Sequence, residues 1–257
     1  MIDQIGIIGA GRLAGYLIEG LRKASPDLRI LLSDQAAQKS ERLASRWGAQ
    51  AVAGNQALAD AEELIVLAMG SEKTLAACQA IAFRPGQVMA STAAKLSLAT
   101  LEAAVTPARA VRVMLVSSSA LSRSPTLVFP YHPDVYALFA VLGRVHPFPD
   151  EASFVSASLV AACYAWMCAL GVDPVAWDSR TGVLPSAARS PVLETIRRTA
   201  EVIPAHPDRL VADLLHEWAD SDGAAGEGLA SPRRRASLPT WTEALDEGLA
   251  ELPSCQP

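Results

Sequence analysis

Short apolar runs alternate with amphipathic stretches along the first 150 residues. Residues 5–9 read as a buried strand, and residues 12–23 as a helix with one apolar face. Residues 28–33 form a second expected strand, ending at Asp34, and a helix follows over 40–47. Runs at 51–52, 63–68, 87–91, 110–116 and 126–129 supply the remaining strands. Parallel strands covered on both faces read as near-continuous aliphatic runs, and these do. The pattern therefore predicts an α/β fold with a doubly wound sheet.

Around Pro147-Phe148-Pro149-Asp150 the pattern changes. From Glu151 onward only helical periodicity is evident, over 154–171, 191–202, 209–218 and 240–252. The stretch 219–239 is rich in Gly, Ala, Ser and Asp and reads as a long loop. Two domains are expected: an α/β domain over 1–150 and an all-helical domain over 151–257.

Composition narrows the chemistry. The chain has 257 residues, 51% hydrophobic and 5% aromatic, enough for a real core and too apolar for general disorder. A net charge of −5 opposes a nucleic-acid footprint spread over the surface. The Arg233-Arg234-Arg235 run lies near Asp220, Asp222 and Glu227, which favours a solvated loop over a nucleic-acid contact. Cys78, Cys163, Cys168 and Cys255 show no C-x-x-C spacing, and the four histidines form no ligand pattern, so no metal site is expected. The opening run is too short and glycine-rich for a signal peptide, and a reduced, cytoplasmic location is the expectation. Residues 154–172 carry no charge. Ser156, Ser158 and Tyr164 dilute this stretch and no basic cluster flanks it, so it reads as a helix buried between subunits rather than a membrane span. A homodimer or higher homo-oligomer is expected. Lysine occurs only at Lys23, Lys39, Lys73 and Lys95, which excludes any mechanism needing a lysine in the second half.

The sharpest chemical signal is Gly9-Ala10-Gly11-Arg12-Leu13-Ala14, a G-x-G-x-x-A between an expected strand and an expected helix. In a Rossmann-type domain such glycines allow a tight turn and a close backbone approach to a pyrophosphate, while the small third residue packs helix on sheet. The helix N-terminus offers N–H groups and a positive dipole end to the phosphates. Asp34 lies near the offset at which a carboxylate binds a ribose 2′-OH. The expected cofactor is NAD(P). Asp34 would repel a 2′-phosphate, whereas Ser33, Lys39 and Arg42 could hold one, so the choice between NAD and NADP stays open.

These residues also carry a family resemblance. Gly6-Ile7-Ile8-Gly9-Ala10-Gly11-Arg12-Leu13-Ala14, then Leu17-Ile18-Glu19-Gly20-Leu21, resembles the opening of the pyrroline-5-carboxylate reductases. The likeness continues through Asp27-Leu28-Arg29-Ile30, Asn55 and Ile65-Val66-Leu67-Ala68. It is strongest at Ser97-Leu98-Ala99-Thr100-Leu101-Glu102 and Val111-Arg112-Val113-Met114, and Leu142-Gly143-Arg144-Val145 resembles the family's L-G-x-V. The resemblance implies a nucleotide-binding domain followed by an all-helical domain that forms an intertwined dimer. It adds Asn55, Ala68, Met69 and Gly70 to the expected cofactor contacts.

The departures fall where that family does its chemistry. Its A-V-K-P is here Ala68-Met69-Gly70-Ser71, and its A-A-G-V-S is Ala93-Ala94-Lys95-Leu96-Ser97. Its R-V-M-P-N-T-P becomes Arg112-Val113-Met114-Leu115-Val116-Ser117-Ser118. The S-G-S-G-P-A-Y turn corresponds best to residues 158–164, keeping Ser158 and Tyr164. The T-S-P-G-G-T-T loop has two candidate matches, at 221–225 and at 230–232, and both lack the threonines. Bulky replacements in a glycine-rich loop close the approach of a substrate carboxylate to backbone N–H groups.

The leading reading is an NAD(P)-dependent oxidoreductase that transfers hydride between the nicotinamide and a cyclic imine or related small substrate. Tyr164, Ser117 and Ser158 are the candidate substrate-side residues, with Asp222 a further candidate on the loop. For Tyr164 the plain structural alternative is a buried interface tyrosine with a satisfied hydroxyl. For Ser117 it is an ordinary polar strand-end loop. A 3-hydroxyacid dehydrogenase-like enzyme would need a lysine on a helix of the second domain, and none is present. From a different class comes a dinucleotide-binding sensor or assembly protein that has lost catalysis on the same fold.

Overall fold

The computed structural model describes residues 2–34, 37–115, 125–155 and 157–158. The chain divides into two compact units, Met1–Ala161 with Gly248–Pro257, and Ala162–Glu247, and every described residue belongs to the first. The elements run β1 (Gln4–Ile8), α1 (Arg12–Ala24), β2 (Arg29–Ser33), α2 (Ala37–Trp47), β3 (Gln50–Ala51), α3 (Asn55–Ala61) and β4 (Leu64–Leu67). They continue as α4 (Ser71–Gln79), β5 (Val88–Ser91), α5 (Leu98–Val105), β6 (Arg109–Leu115), β7 (Thr126–Phe129), α6 (Pro133–Ala140) and β8 (Val145–Pro147).

The strands make one eight-stranded sheet in the order β3-β2-β1-β4-β5-β6-β7-β8. This is the doubly wound architecture that the aliphatic runs imply. β1 pairs in parallel with β2 through Ile5↔Ile30 and with β4 through Ile7↔Val66. One pairing departs from the all-parallel expectation: β6 and β7 are antiparallel, with Val113 opposite Val128. Only residues 116–125 lie between these two strands, short of the dozen or more residues that a crossover back to a parallel neighbour takes.

Two core layers explain why the strand sequences lack simple alternation. On one face Ile5, Ile7, Val66, Ala90, Val111 and Val113 pack with Leu17, Ile18 and Leu21 of α1 and with Leu138 and Phe139 of α6. On the other face Ile8, Ile65, Leu67 and Met89 pack with Leu58 of α3, Cys78 of α4, and Leu101 and Val105 of α5. Successive strand residues point to opposite faces, and both faces are covered by helices. Each aliphatic side chain so buried contributes about 1.5–3 kcal/mol. Burial raises the Cys78 thiol to about 11, which suits a structural cysteine.

The helices α3 to α6 have seven to nine residues each and were not legible in the periodicity. The helix expected at 154 starts earlier, at residue 151. Asp150 explains the earlier start. Its carboxylate accepts the Ser153 N–H and the Ser153 hydroxyl, both at 2.8 Å, and these bonds hold its pKa below the ordinary value. Most of the uncharged stretch 154–172 and the expected helices at 191–202, 209–218 and 240–252 lie outside the described residues. Among the described residues no helix is long and apolar enough to cross a membrane, and no group of three or more metal-ligating side chains occurs.

Candidate functional site

A cleft of about 540 Å³ opens at the carboxyl ends of β1, β4 and β5. Gly11, Arg12, Leu13, Tyr16, Ala68, Met69, Gly70 and Thr92 line it. From β1 the chain moves into α1 and β2, whereas β4 and β5 lie on the other side of β1. That reversal is the topological switch point, where open α/β sheets bind ligands.

Two glycines shape the cleft for different reasons. Gly9 has φ +108, and a Cβ there would stand 2.4 Å from Met69 Cγ and 2.9 Å from the Ala68 carbonyl oxygen. Its turn is therefore closed to other residues both by conformation and by packing. Gly11 has an ordinary φ of −88 and begins α1 without a side-chain cap, and a Cβ there would meet nothing within 4 Å. Its missing side chain leaves space that a ligand's phosphates can enter. Gly15 donates to the Gly11 carbonyl at 3.2 Å, so the N–H groups of Arg12, Leu13 and Ala14 precede the helix's own bonding. Ala14 is fully buried against the sheet, the role expected of the third small residue.

The end of β2 is latched onto this turn. Gly9 N–H donates to the Ser33 carbonyl at 2.8 Å, and Ala10 N–H donates to Asp34 Oδ2 at 2.8 Å. The carboxylate is thus held at the mouth of the glycine turn. Ser33 is fully buried, and its hydroxyl donates to Asn55 Oδ1 at 2.8 Å. Ser33 and Asn55 therefore meet each other, joining β2 to the start of α3 beneath the site. On the opposite wall Thr92 donates through its hydroxyl to the Leu67 carbonyl at 3.0 Å, fixing the end of β5 to β4.

Of the expected cofactor residues, Gly11, Arg12, Leu13, Ala68, Met69 and Gly70 line the cleft itself, Gly9, Ala10 and Asp34 form its turn and rim, and Ala14, Ser33 and Asn55 sit behind them. Tyr16 and Thr92 were missed. Tyr16 stands four residues after Arg12, on the same helix face, and Thr92 directly follows β5 where switch-point ligands lie. Among the expected substrate-side residues, Ser158 donates its hydroxyl to the Phe154 carbonyl of its own helix at 2.7 Å. Ser117, Tyr164 and Asp222 lie outside the described residues.

The residues fit a dinucleotide. Gly11 leaves open space beside unbonded helix N–H groups, and a carboxylate stands at the β2 end for ribose hydroxyls.

The comparisons agree with that geometry. The family model described as NADP oxidoreductase, coenzyme F420-dependent, matches residues 4–95. The pyrroline-5-carboxylate reductase of Pseudomonas aeruginosa is 36% identical over 124 residues, which are 47% of this chain and 45% of that protein. The chain thus matches less than half the length of this curated relative. The crystal structure of 1-pyrroline-5-carboxylate reductase from Streptococcus pyogenes superposes with a TM-score of 0.81 at 20% identity, covering 95% of this chain and 96% of that one. The pyrroline carboxylate reductase of Plasmodium falciparum with NADP bound follows with a TM-score of 0.77 at 16% identity, covering 96% and 95%. The chain is similar to the pyrroline-5-carboxylate reductases in sequence over 124 residues, and its fold is similar to that of their solved structures.

Proposed function

We propose that this protein is an NAD(P)-dependent reductase acting on a cyclic imine or a related small C=N substrate, with a second copy of the chain as its partner in the assembly. The observation that carries the reading is the cleft at the switch point: an open Gly11 beside uncapped α1 N–H groups, with Asp34 anchored at its mouth. When bound, the cofactor supplies a hydride from its nicotinamide ring to the substrate carbon. The chain's own residues bind and orient. The N–H groups of Arg12, Leu13 and Ala14 face the pyrophosphate, and the α1 dipole favours its charge. Asp34 accepts from ribose hydroxyls. On the far side of β1, Ala68, Met69, Gly70 and Thr92 form the wall against the nicotinamide half. A cyclic imine can be protonated near neutral pH without a strong acid, so rate depends mainly on positioning. Tyr164, Ser117 and Ser158 remain the proposed substrate-side hydroxyls, Ser158 bonding to the Phe154 carbonyl of its own helix.

The rim favours NADH over NADPH within this proposal. Asp34 stands where a 2′-phosphate would carry its charge, and Ser33, the nearest neutral candidate for that phosphate, is buried with its hydroxyl on Asn55. Fluorescence titration should give NADH a Kd about tenfold below that of NADPH, a difference of about 1.4 kcal/mol. Asp34→Ser should erase the preference. Turnover is then assayed with pyrroline-5-carboxylate and a panel of cyclic imines. Tight binding with no turnover on any of them would return the protein to the sensor class. Absence of dinucleotide binding would remove both readings.

A further inference from the structure

Arg112 lies on β6, the strand beyond β5, and is 3% exposed. Its Nη1 donates to Glu151 Oε1 at 2.5 Å and its Nη2 donates to the Ala94 carbonyl at 2.9 Å. Its guanidinium carbon stands 5.0 Å from the centre of the Phe154 ring. The same Glu151 oxygen accepts the Leu98 N–H at 2.6 Å. The ion pair of buried Arg112 and half-buried Glu151 therefore grips the 92–98 segment twice, at Ala94 and at Leu98. Thr92 at the head of that segment lines the cleft, and Leu98 at its foot opens α5. In the middle, Lys95 N–H donates to Ser71 Oγ at 3.1 Å, tying the segment to the first turn of α4 beside Gly70.

Thr92 N–H extends the pairing with β4 onto the Leu67 carbonyl at 3.2 Å and the Ser97 carbonyl starts α5, but residues 93–96 between them have no helix or strand bonding of their own. Their backbone entropy opposes a single conformation, so order must come from contacts to the flanks. A planar guanidinium with several fixed donors suits this task, and a carboxylate can serve two donors at once. We infer that Arg112, together with Glu151, is a positioning residue for the nicotinamide half of the proposed cofactor: it holds the 92–98 segment so that Thr92 and the Gly70–Ser71 corner form a wall of the cleft. The inference rests on the dinucleotide reading above. It divides the cofactor in two, because Asp34 and the glycine turn, which would meet the adenine half and the phosphates, lie on the other side of the switch point.

The test compares two ligands on the full-length protein. NADH spans the whole site, whereas ADP-ribose keeps the adenine, the pyrophosphate and the riboses but lacks the nicotinamide. Replacing the pair by Arg112→Leu with Glu151→Leu removes both charges and leaves apolar volume, which avoids stranding one buried ion. This double variant should bind NADH about tenfold more weakly, keep ADP-ribose affinity within about twofold, and lose the blue shift of bound NADH emission. Glu151→Gln keeps a neutral acceptor for Leu98 and should weaken NADH by about threefold, again sparing ADP-ribose. Equal weakening of both ligands would make the pair merely structural and overturn the inference, as would a double variant that binds NADH like the wild type. Should the double variant fail to fold, Glu151→Gln decides by the same ratio, and an unchanged ratio overturns it. A wild-type protein that binds neither ligand instead refutes the dinucleotide reading itself.

Discussion

At the carboxyl edge of the sheet the chain leaves β1 and β4 through Gly9, Gly11 and Gly70, and two helices begin there without side-chain caps. At the amino edge, polar side chains close the backbone instead. Gln87 is 1% exposed, and its amide donates to the carbonyls of Ala59 and Glu62 at 2.6 and 2.7 Å while its oxygen accepts the Arg84 N–H at 2.6 Å. Gln56 reaches across to Ala82, donating to its carbonyl at 3.2 Å and accepting its N–H at 2.8 Å. Orphan carbonyls of α3 are satisfied by protein at one edge, and the first N–H groups of α1 and α4 have no side-chain cap at the other. The same sheet therefore uses its polar groups for stability at one end and, in the proposed function, for binding at the other.

Glycine substitutions should separate the two uses most sharply. Gly11→Val adds atoms into open space, so thermal unfolding should barely move while NADH affinity falls about a hundredfold, near 2.7 kcal/mol. Gly9→Val meets Met69 and a positive φ, so it should lower both affinity and Tm. If Gly11→Val destabilised the protein as much as Gly9→Val, the space beside Gly11 would not be open.

A comparable effect is expected at the amino edge. Gln87→Leu removes three hydrogen bonds, leaving the Ala59 and Glu62 carbonyls only the Arg84 guanidinium, and should cost about 2–3 kcal/mol in urea unfolding, with ADP-ribose affinity unchanged in the folded protein. Reduced affinity in the folded variant would mean that the two edges are coupled.

The mildest effect, about 2 kcal/mol, belongs to Glu62 and pH. This side chain is 2% exposed, and its Oε1 has no hydrogen-bond partner. Burial raises its pKa to about 7, partly offset by a hydrogen bond from Gln4 and the charge of Arg29. Between its ordinary value of 4.5 and about 7 the folded protein keeps a proton that the unfolded chain releases. Stability from this group is therefore fully present below 4.5 and falls as pH rises through 7. Glu62→Gln should flatten that fall and make the protein more stable than wild type at pH 8. An identical pH profile for the two proteins would show that Glu62 is ionised and solvated when folded.

Much of the α/β domain could be read from sequence because its signals are local. The aliphatic runs of β1, β4 and β5 and the spacing of Gly9, Gly11 and Ala14 each report on a few consecutive residues. The short helices escaped because seven to nine alanine-rich residues hold too few turns to show a period. At the site, the glycine turn and Asp34 were legible. Thr92 and Tyr16 were not, since nothing in a threonine after a strand or a tyrosine on a helix distinguishes it until the cleft is assembled. Arg112 shows the limit plainly: its motif was recognisable, but its partner Glu151 is 39 residues away.

By itself, then, the amino-acid sequence determined the layered α/β domain, the glycine turn and the family likeness, because these follow from backbone conformation and side-chain period over short stretches. Only the tertiary structure decided the antiparallel β7, the burial of Ser33 on Asn55, and the union of Arg112, Glu151 and the 92–98 segment. Those depend on which distant residues share a desolvated space, and burial and charge pairing take their energies from that proximity rather than from residue type.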